Sequence, residues 1–257
     1  MSSTATHHSF DLSQASSDQI LKGKSILVTG AGDGIGRQAA LTYASCGANV
    51  ILLGRTVKKL EAVYDEITAQ DGPQASIVPL DHEGATAQHY QGLADTIKGE
   101  YGKLDGLLSN ASILGTLCPF TQIQEKEYDQ VMQVNVKAQF MMIQALLPTL
   151  LQSEASSIIL TSSGVGRKGR AYWGTYSISK FATEGMMQVL ADEYKNKHLR
   201  VNCINPGGTR TNMRAKAFPG EDPDTLKTPT DIMPSYVYLM ADASKHENAS
   251  VFDCQIK

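Results

Sequence analysis

Thr29-Gly30-Ala31-Gly32-Asp33-Gly34-Ile35-Gly36 follows directly on the apolar run Ser25-Ile26-Leu27-Val28. Four glycines fall within seven residues, and the helical pattern Arg37-Gln38-Ala39-Ala40-Leu41-Thr42-Tyr43 comes next. A strand, a tight turn and a helix start are expected in that order. In this geometry backbone N–H groups and a helix N-terminus hold a pyrophosphate. Gly30 supplies the turn's unusual φ, Gly34 lets the backbone approach a phosphate, and Gly36 lets helix pack closely on strand. Glycine-rich turns are common, but the strand before and the helix after favour dinucleotide binding over a simple turn.

Outward from this turn, apolar and helical segments alternate. Asn49–Leu53 reads as a second strand, nearly all apolar, as expected when both faces are buried. Residues 56–70 carry helical spacing through Leu60, Val63, Tyr64 and Ile67. Ser76–Leu80 is a third strand, followed by a helix through Tyr90, Leu93 and Ile97, and Leu104–Ser109 is a fourth. A long helix runs from about Lys126 to Leu151, then come a strand at Ser157–Thr161, a helix over 176–195 and a sixth strand at Arg200–Asn205. Six strands alternating with helices imply an α/β fold, a single-domain Rossmann-type doubly wound parallel sheet flanked by helices. Residues 1–22 read as a polar extension, disordered or loosely attached, ahead of one dinucleotide-binding domain over 23–257. The irregular segment at about 211–229, with Pro219, Pro223 and Pro229, is placed to cover a ligand crevice beyond the sixth strand.

The 257 residues carry a net charge of −3 with no Lys/Arg cluster, which argues against nucleic acid or an anionic membrane as partner. No apolar stretch reaches the roughly 18 residues of a membrane span, and the start lacks the pattern of a signal peptide. Cys46, Cys118, Cys203 and Cys254 are scattered and read as free thiols, which places the protein in a reducing cytoplasm. His7-His8 reads as accidental, and no metal site is expected.

Chemistry concentrates after the fifth strand, where Thr161-Ser162-Ser163-Gly164 leads to Tyr176-Ser177-Ile178-Ser179-Lys180. Tyr176 and Lys180 stand i and i+4, on one face of a helix. A phenol is a poor acid–base group at neutral pH, and a nearby ammonium favours its ionised form. The pair suits proton transfer in carbonyl or alcohol chemistry; a surface tyrosine and lysine one turn apart is the plainer alternative.

Thr-Gly-x-x-x-Gly-x-Gly at 29–36, Tyr-x-x-x-Lys at 176–180 and Asn-Pro-Gly-Gly-Thr at 205–209 together resemble the short-chain dehydrogenase/reductase family. Ser109-Asn110-Ala111-Ser112 resembles that family's Asn-Asn-Ala-Gly segment, and Asn135 its helix asparagine. The stretches at 185–194 and 201–211 are similar to a bacterial subgroup, the YciK-type oxidoreductases.

The resemblance implies roles. Tyr176 is the general acid/base, and Lys180 lowers its pKa and bonds the nicotinamide ribose. Ser163, thirteen residues before the tyrosine, holds the substrate oxygen, with Ser162 as the alternative. Asn135 positions a water that links Lys180 to solvent. Gly30, Asp33, Gly34, Ile35, Gly36, Arg55, Asp81, Asn110, Ala111, Tyr176, Lys180, Pro206, Gly207, Thr209 and Thr211 contact the cofactor. Folds of this kind that prefer NAD place a carboxylate after the second strand; Gly54-Arg55 stands here instead, and a guanidinium suits a 2′-phosphate. NADP is therefore expected, with NAD still possible, and Arg37 could add a second positive group. Asp33 either weakens phosphate binding or caps the helix. Asp81 bonds adenine or is a simple turn residue.

A substrate pocket is expected from Ile113, Leu114, Val165, Tyr172, Trp173, Gly207 and the 211–229 segment. Tyr172 and Trp173 could instead pack at a subunit contact. Arg167, Lys168 and Arg170 either attract an acidic substrate or form a solvated basic loop. Ser109 and Ser112 depart from the family pattern, and the C-terminus ends without the expected glycine-rich segment and further strand. The family suggests a homodimer or homotetramer through the two long helices. The reading is an NADP-dependent oxidoreductase acting on a small carbonyl or secondary alcohol; the alternative is a non-catalytic NAD(P)-binding sensor or scaffold.

Overall fold

Consecutive residues of the central strands serve different cores. Leu27 and Ile51 belong to one buried cluster with Tyr90, Met142 and Leu146, while Val28 and Leu52 belong to another with Tyr43, Tyr236 and Leu239. This is the two-residue alternation of a strand expressed with apolar residues on both sides, because helices cover both faces of the sheet. The computed structural model describes residues 4–5, 11–70 and 72–255.

The strands are β1 (Thr4–Ala5), β2 (Ser25–Thr29), β3 (Asn49–Gly54), β4 (Ser76–Pro79), β5 (Gly106–Ser109), β6 (Ser156–Thr161), β7 (Leu199–Asn205) and β8 (Val251–Asp253). All pair in parallel in the order β1-β8-β7-β6-β5-β2-β3-β4. The chain order reverses between β2 and β5. A crevice opens there beyond the strands' carboxyl ends, where ligands of such sheets bind.

The helices are α1 (Leu12–Ser17), α2 (Gly34–Ser45), α3 (Val57–Thr68), α4 (Ala87–Tyr101), α5 (Glu125–Met132), α6 (Ala138–Leu150), α7 (Gly174–Glu193), α8 (Asn212–Ala217) and α9 (Met233–Met240). The long helix expected over 126–151 is α5 and α6 joined by a π turn at Gln133–Lys137. Such turns gather at functional sites. Buried Arg200 on β7 donates from its guanidinium to the carbonyls of Leu239, Met240 and Ala241, so a cation closes the carboxyl end of α9.

Two expectations need correction. The polar extension is not loose over its second half: Asp11 caps α1 through the N–H groups of Ser13 and Gln14, and Ala15 and Leu21 enter the core. Its apolar residues are too few for a periodic signal, yet Leu12 and Ile20 also pack, partly buried, against that core. His7-His8 lies outside the described residues. The further C-terminal strand is present as β8, pairing Cys203–Asn205 with Val251–Asp253. Three residues are too short for alternation to reveal.

Candidate active site

The crevice is a cleft of about 420 Å³ running from Arg55 and Asp81 at one end to Trp173 and Tyr176 at the other. Its floor is the turn after β2. Gly30 and Gly34 take φ of +67° and +53°, and a Cβ on Gly36 would overlap the Gly30 carbonyl. The N-cap residue of α2, Asp33, makes no capping hydrogen bond, so the helix start meets the cleft without a side chain closing its first turn. A glycine cradle and an open helix N-terminus fit the pyrophosphate of a dinucleotide.

Thr29 sets the neighbouring wall. Its hydroxyl accepts the N–H groups of Asn110 and Ala111, each at 2.9 Å, which ties the ends of β2 and β5. Ser109 is buried and accepts from the Gln139 amide, and Ser112 avoids left-handed backbone, so both departures from the family motif fit. Asn135 lies in the π turn, buried. Its Oδ1 accepts from Ile113 N–H at 2.8 Å, while Nδ2 donates to the Ile113 carbonyl and to Ser179 Oγ.

Gly174 begins α7, which presents Tyr176 to the cleft with Lys180 one turn behind it. The Tyr176 hydroxyl pairs with Ser163. Ser162, the alternative, instead donates to Glu184 Oε1 at 2.6 Å. Burial raises Tyr176 to about 12, against which only the Ser163 hydrogen bond acts. Burial also lowers Lys180 to about 8. The Lys180 Nζ donates to the Thr161 carbonyl at 2.8 Å and lies 5.5 Å from the Tyr176 ring centroid. In this geometry burial, not the ammonium, sets the direction of the Tyr176 shift, because the Lys180 Nζ is directed at the Thr161 carbonyl.

Gly30, Asp33, Gly34, Ile35, Arg55, Asp81, Asn110, Ala111, Ser163, Tyr176, Pro206, Gly207, Thr209 and Thr211 all line the cleft. Gly36, Asn135 and Lys180 stand behind its lining. Asp81 Oδ1 accepts the Glu83 N–H in a local turn, and beside it His82 bonds Tyr90 and is pushed by burial down to about 4.

Asp33 does not face the cleft as a bare charge. Lys59 Nζ bonds it at 2.6 Å and Asn212 Nδ2 at 3.2 Å. Lys59 lines the cleft one turn beyond Arg55; its spacing of four from Arg55, across the start of α3, was the available signal. Arg37 is turned away and paired with Glu66. At the far end Ile113, Leu114, Trp173, Gly207 and Met213 line the cleft, but Val165 and Tyr172 do not. Arg167 is partly buried and is not aimed at the cleft, because Asp253 and Glu184 hold it. Arg170 lies over Phe218.

The pattern of the short chain dehydrogenases matches residues 24–222. The chain belongs to the short chain dehydrogenase family. Among short chain dehydrogenases and their structures, several are close in sequence. The oxidoreductase YciK of Escherichia coli K12, itself uncharacterized, is 57% identical over 92% of this chain and 93% of its own length. A short chain dehydrogenase of Shigella flexneri 2a complexed with NADP is 56% identical, covering 93% of this chain and 100% of that one, with a TM-score of 0.90. One of Escherichia coli CFT073 complexed with NADPH is 56% identical, covering 93% and 99%, with a TM-score of 0.91. In this short chain dehydrogenase the residues Lys59 and Gln255, which no motif marks, stand at or directly behind the cleft wall.

Proposed function

We propose that the protein is an NADP-dependent oxidoreductase transferring hydride between nicotinamide and a small carbonyl or secondary alcohol. The carrying observation is the grouping of Ser163, Tyr176 and Lys180 at one end of a cleft whose other end holds Arg55 and Lys59. Ser163 holds the substrate oxygen, and Tyr176 donates its proton to that oxygen in reduction or takes it in oxidation. NADP(H) supplies or accepts the hydride when bound. Gly30, Gly34, Ile35 and Gly36 hold its pyrophosphate, Arg55 and Lys59 its 2′-phosphate, Asp81 its adenine and Lys180 its ribose. Asn110, Ala111, Pro206, Gly207, Thr209 and Thr211 complete the walls.

The two titrating groups support this assignment. A phenol held near 12 stays protonated and ready to donate, and a lysine near 8 can return a proton downhill to the phenolate left behind. Asn135 fixes the Ile113 loop and Ser179 beside Lys180, and the water linking Lys180 to solvent is held against this frame. Apolar Ile113, Leu114, Met213 and Trp173 favour an uncharged substrate body.

Titration with NADPH and NADH, followed by quenching of Trp173, tests the reading. Saturable binding with NADPH tighter is expected, and turnover of a carbonyl panel with NADPH separates an enzyme from a sensor. Failure of both cofactors to bind would remove the reading.

A homo-oligomer is part of the same proposal. On α7 the exposed side chains Ile178, Phe181 and Val189 fall at helical spacing, and on α6 Phe140 is exposed. Replacing Phe181 and Val189 with Glu is expected to leave monomers by analytical ultracentrifugation while wild type sediments as dimer or tetramer. No described helix is long and apolar enough to cross a membrane. With four free cysteines, a cytoplasmic protein is the consistent placement.

A further inference from the structure

The loop after β7 forms the nicotinamide-side wall of the cleft. Beyond its local bonds, in which Asn205 Oδ1 accepts the Gly207 N–H and Thr209 Oγ1 donates to the Pro206 carbonyl, a side chain from the far end of the sequence holds it. Asn205, Pro206, Gly207 and Thr209 face the cleft, and Gly207 takes a left-handed φ of +71°. Three loop acceptors turn away from the cleft toward one side chain. Gln255 Nε2 donates to the Pro206 carbonyl at 2.8 Å, the Gly208 carbonyl at 3.0 Å and Thr209 Oγ1 at 3.3 Å. All three partners accept, so the amide nitrogen, not its oxygen, must face them. The Gln255 side chain also backs Gly207, where a Cβ would meet its Cδ and Nε2 at 3.1 Å.

The segment that carries Gln255 is itself anchored. Cys254 N–H donates to the Asn205 carbonyl at 2.9 Å, and Asn205 Nδ2 donates to Asp253 Oδ1 at 2.6 Å. Asp253 is also bonded by Arg167, which lies 3.8 Å from Glu184, and Glu184 accepts from Ser162, the neighbour of Ser163. One polar network therefore runs from the serine loop, through α7 and β8, to the back of the wall.

We propose that Gln255 is a positioning residue that sets the Pro206–Thr209 loop for the nicotinamide half of the cofactor. It does not line the cleft and acts only through the loop. This rests on the cofactor reading given above, and it assigns a function to a segment outside every motif. Gln255→Glu replaces the donor with a carboxylate facing two carbonyls and a hydroxyl, so the loop is repelled. Gln255→Lys keeps N–H donors on that side and serves as the conservative variant.

The experiment measures calorimetric affinities of wild type, Q255E and Q255K for NADPH and for 2′,5′-ADP, which carries only the adenosine half. Q255E is expected to bind NADPH about tenfold or more weakly than wild type, with 2′,5′-ADP affinity within about twofold. Q255K is expected to recover most of the NADPH affinity. A Q255E protein that bound NADPH as wild type does would overturn the proposal. So would parallel weakening of both ligands, since that marks a general loss of structure. Wild-type protein binding neither ligand would overturn the cofactor reading itself, a separate result.

Discussion

Tyr176→Phe is expected to lower kcat by about a thousandfold while the NADPH dissociation constant moves by less than about twofold. On the proposed mechanism the substitution removes the hydroxyl that would exchange a proton with the substrate oxygen. It keeps the ring, which packs against Trp173 with centroids 5.8 Å apart. Ser163 loses its partner but stays in a solvent-connected cleft, so the fold is little affected. The pH profile should carry the same signature. Below about 8 Lys180 is charged and Tyr176 is neutral, which is the competent pair for reduction. As pH rises through about 8, Lys180 loses its proton and the rate of reduction falls, well before Tyr176 ionises. Stopped-flow and steady-state rates of NADPH oxidation check both statements. Undiminished turnover in Y176F would sink the mechanism, and a rate level to about pH 10 would show that the Lys180 charge is not needed.

The second large effect concerns the other end of the cleft. Arg55→Asp is expected to weaken NADPH about a hundredfold and to reverse the order of NADPH and NADH affinity. One charge-assisted hydrogen bond contributes roughly 1.5–3 kcal/mol, and the new carboxylate adds repulsion toward a 2′-phosphate. Arg55 is exposed in the turn between β3 and α3, so the contrast should shrink as ionic strength rises. Lys59→Ala is expected to do less to NADPH directly, and it also frees the Asp33 carboxylate that Lys59 now neutralises. Calorimetry with both cofactors decides: an unchanged ratio in R55D would defeat Arg55 as selector.

Local signals in the sequence carried the sheet and most of the cleft, for identifiable reasons. The glycine turn, Tyr176 with Lys180, and the Asn205–Thr209 run are contiguous in sequence, and each is one structural unit. What escaped notice depends on contacts between distant segments. Lys59 meets Asp33 only because α3 folds back over the turn after β2. Gln255 reaches the 206–209 loop only through pairing of β8 with β7. That Ser162 donates to Glu184, 22 residues away, is likewise invisible to local signals. Electrostatics was the least legible. Spacing put an ammonium near a phenol, but both groups are buried deeply enough for desolvation to dominate their pKa values.

The side-chain amide of Asn135 bonds both backbone groups of Ile113, much as a neighbouring strand would. One jaw of the cleft is thus stiff before any ligand arrives. The opposite jaw is held by surface polar bonds, Asn212 to Asp33 and Arg214 to Glu221, rather than by packing. Helix α8 has no buried residue, and a second hollow of about 520 Å³ lies against it. The entropy lost on ligand binding must then fall mainly on the α8 jaw, since groups already fixed have little freedom left to lose. On the proposed reading, substrates that differ in size would meet an unchanging wall on the Asn135 side and would be accommodated on the α8 side.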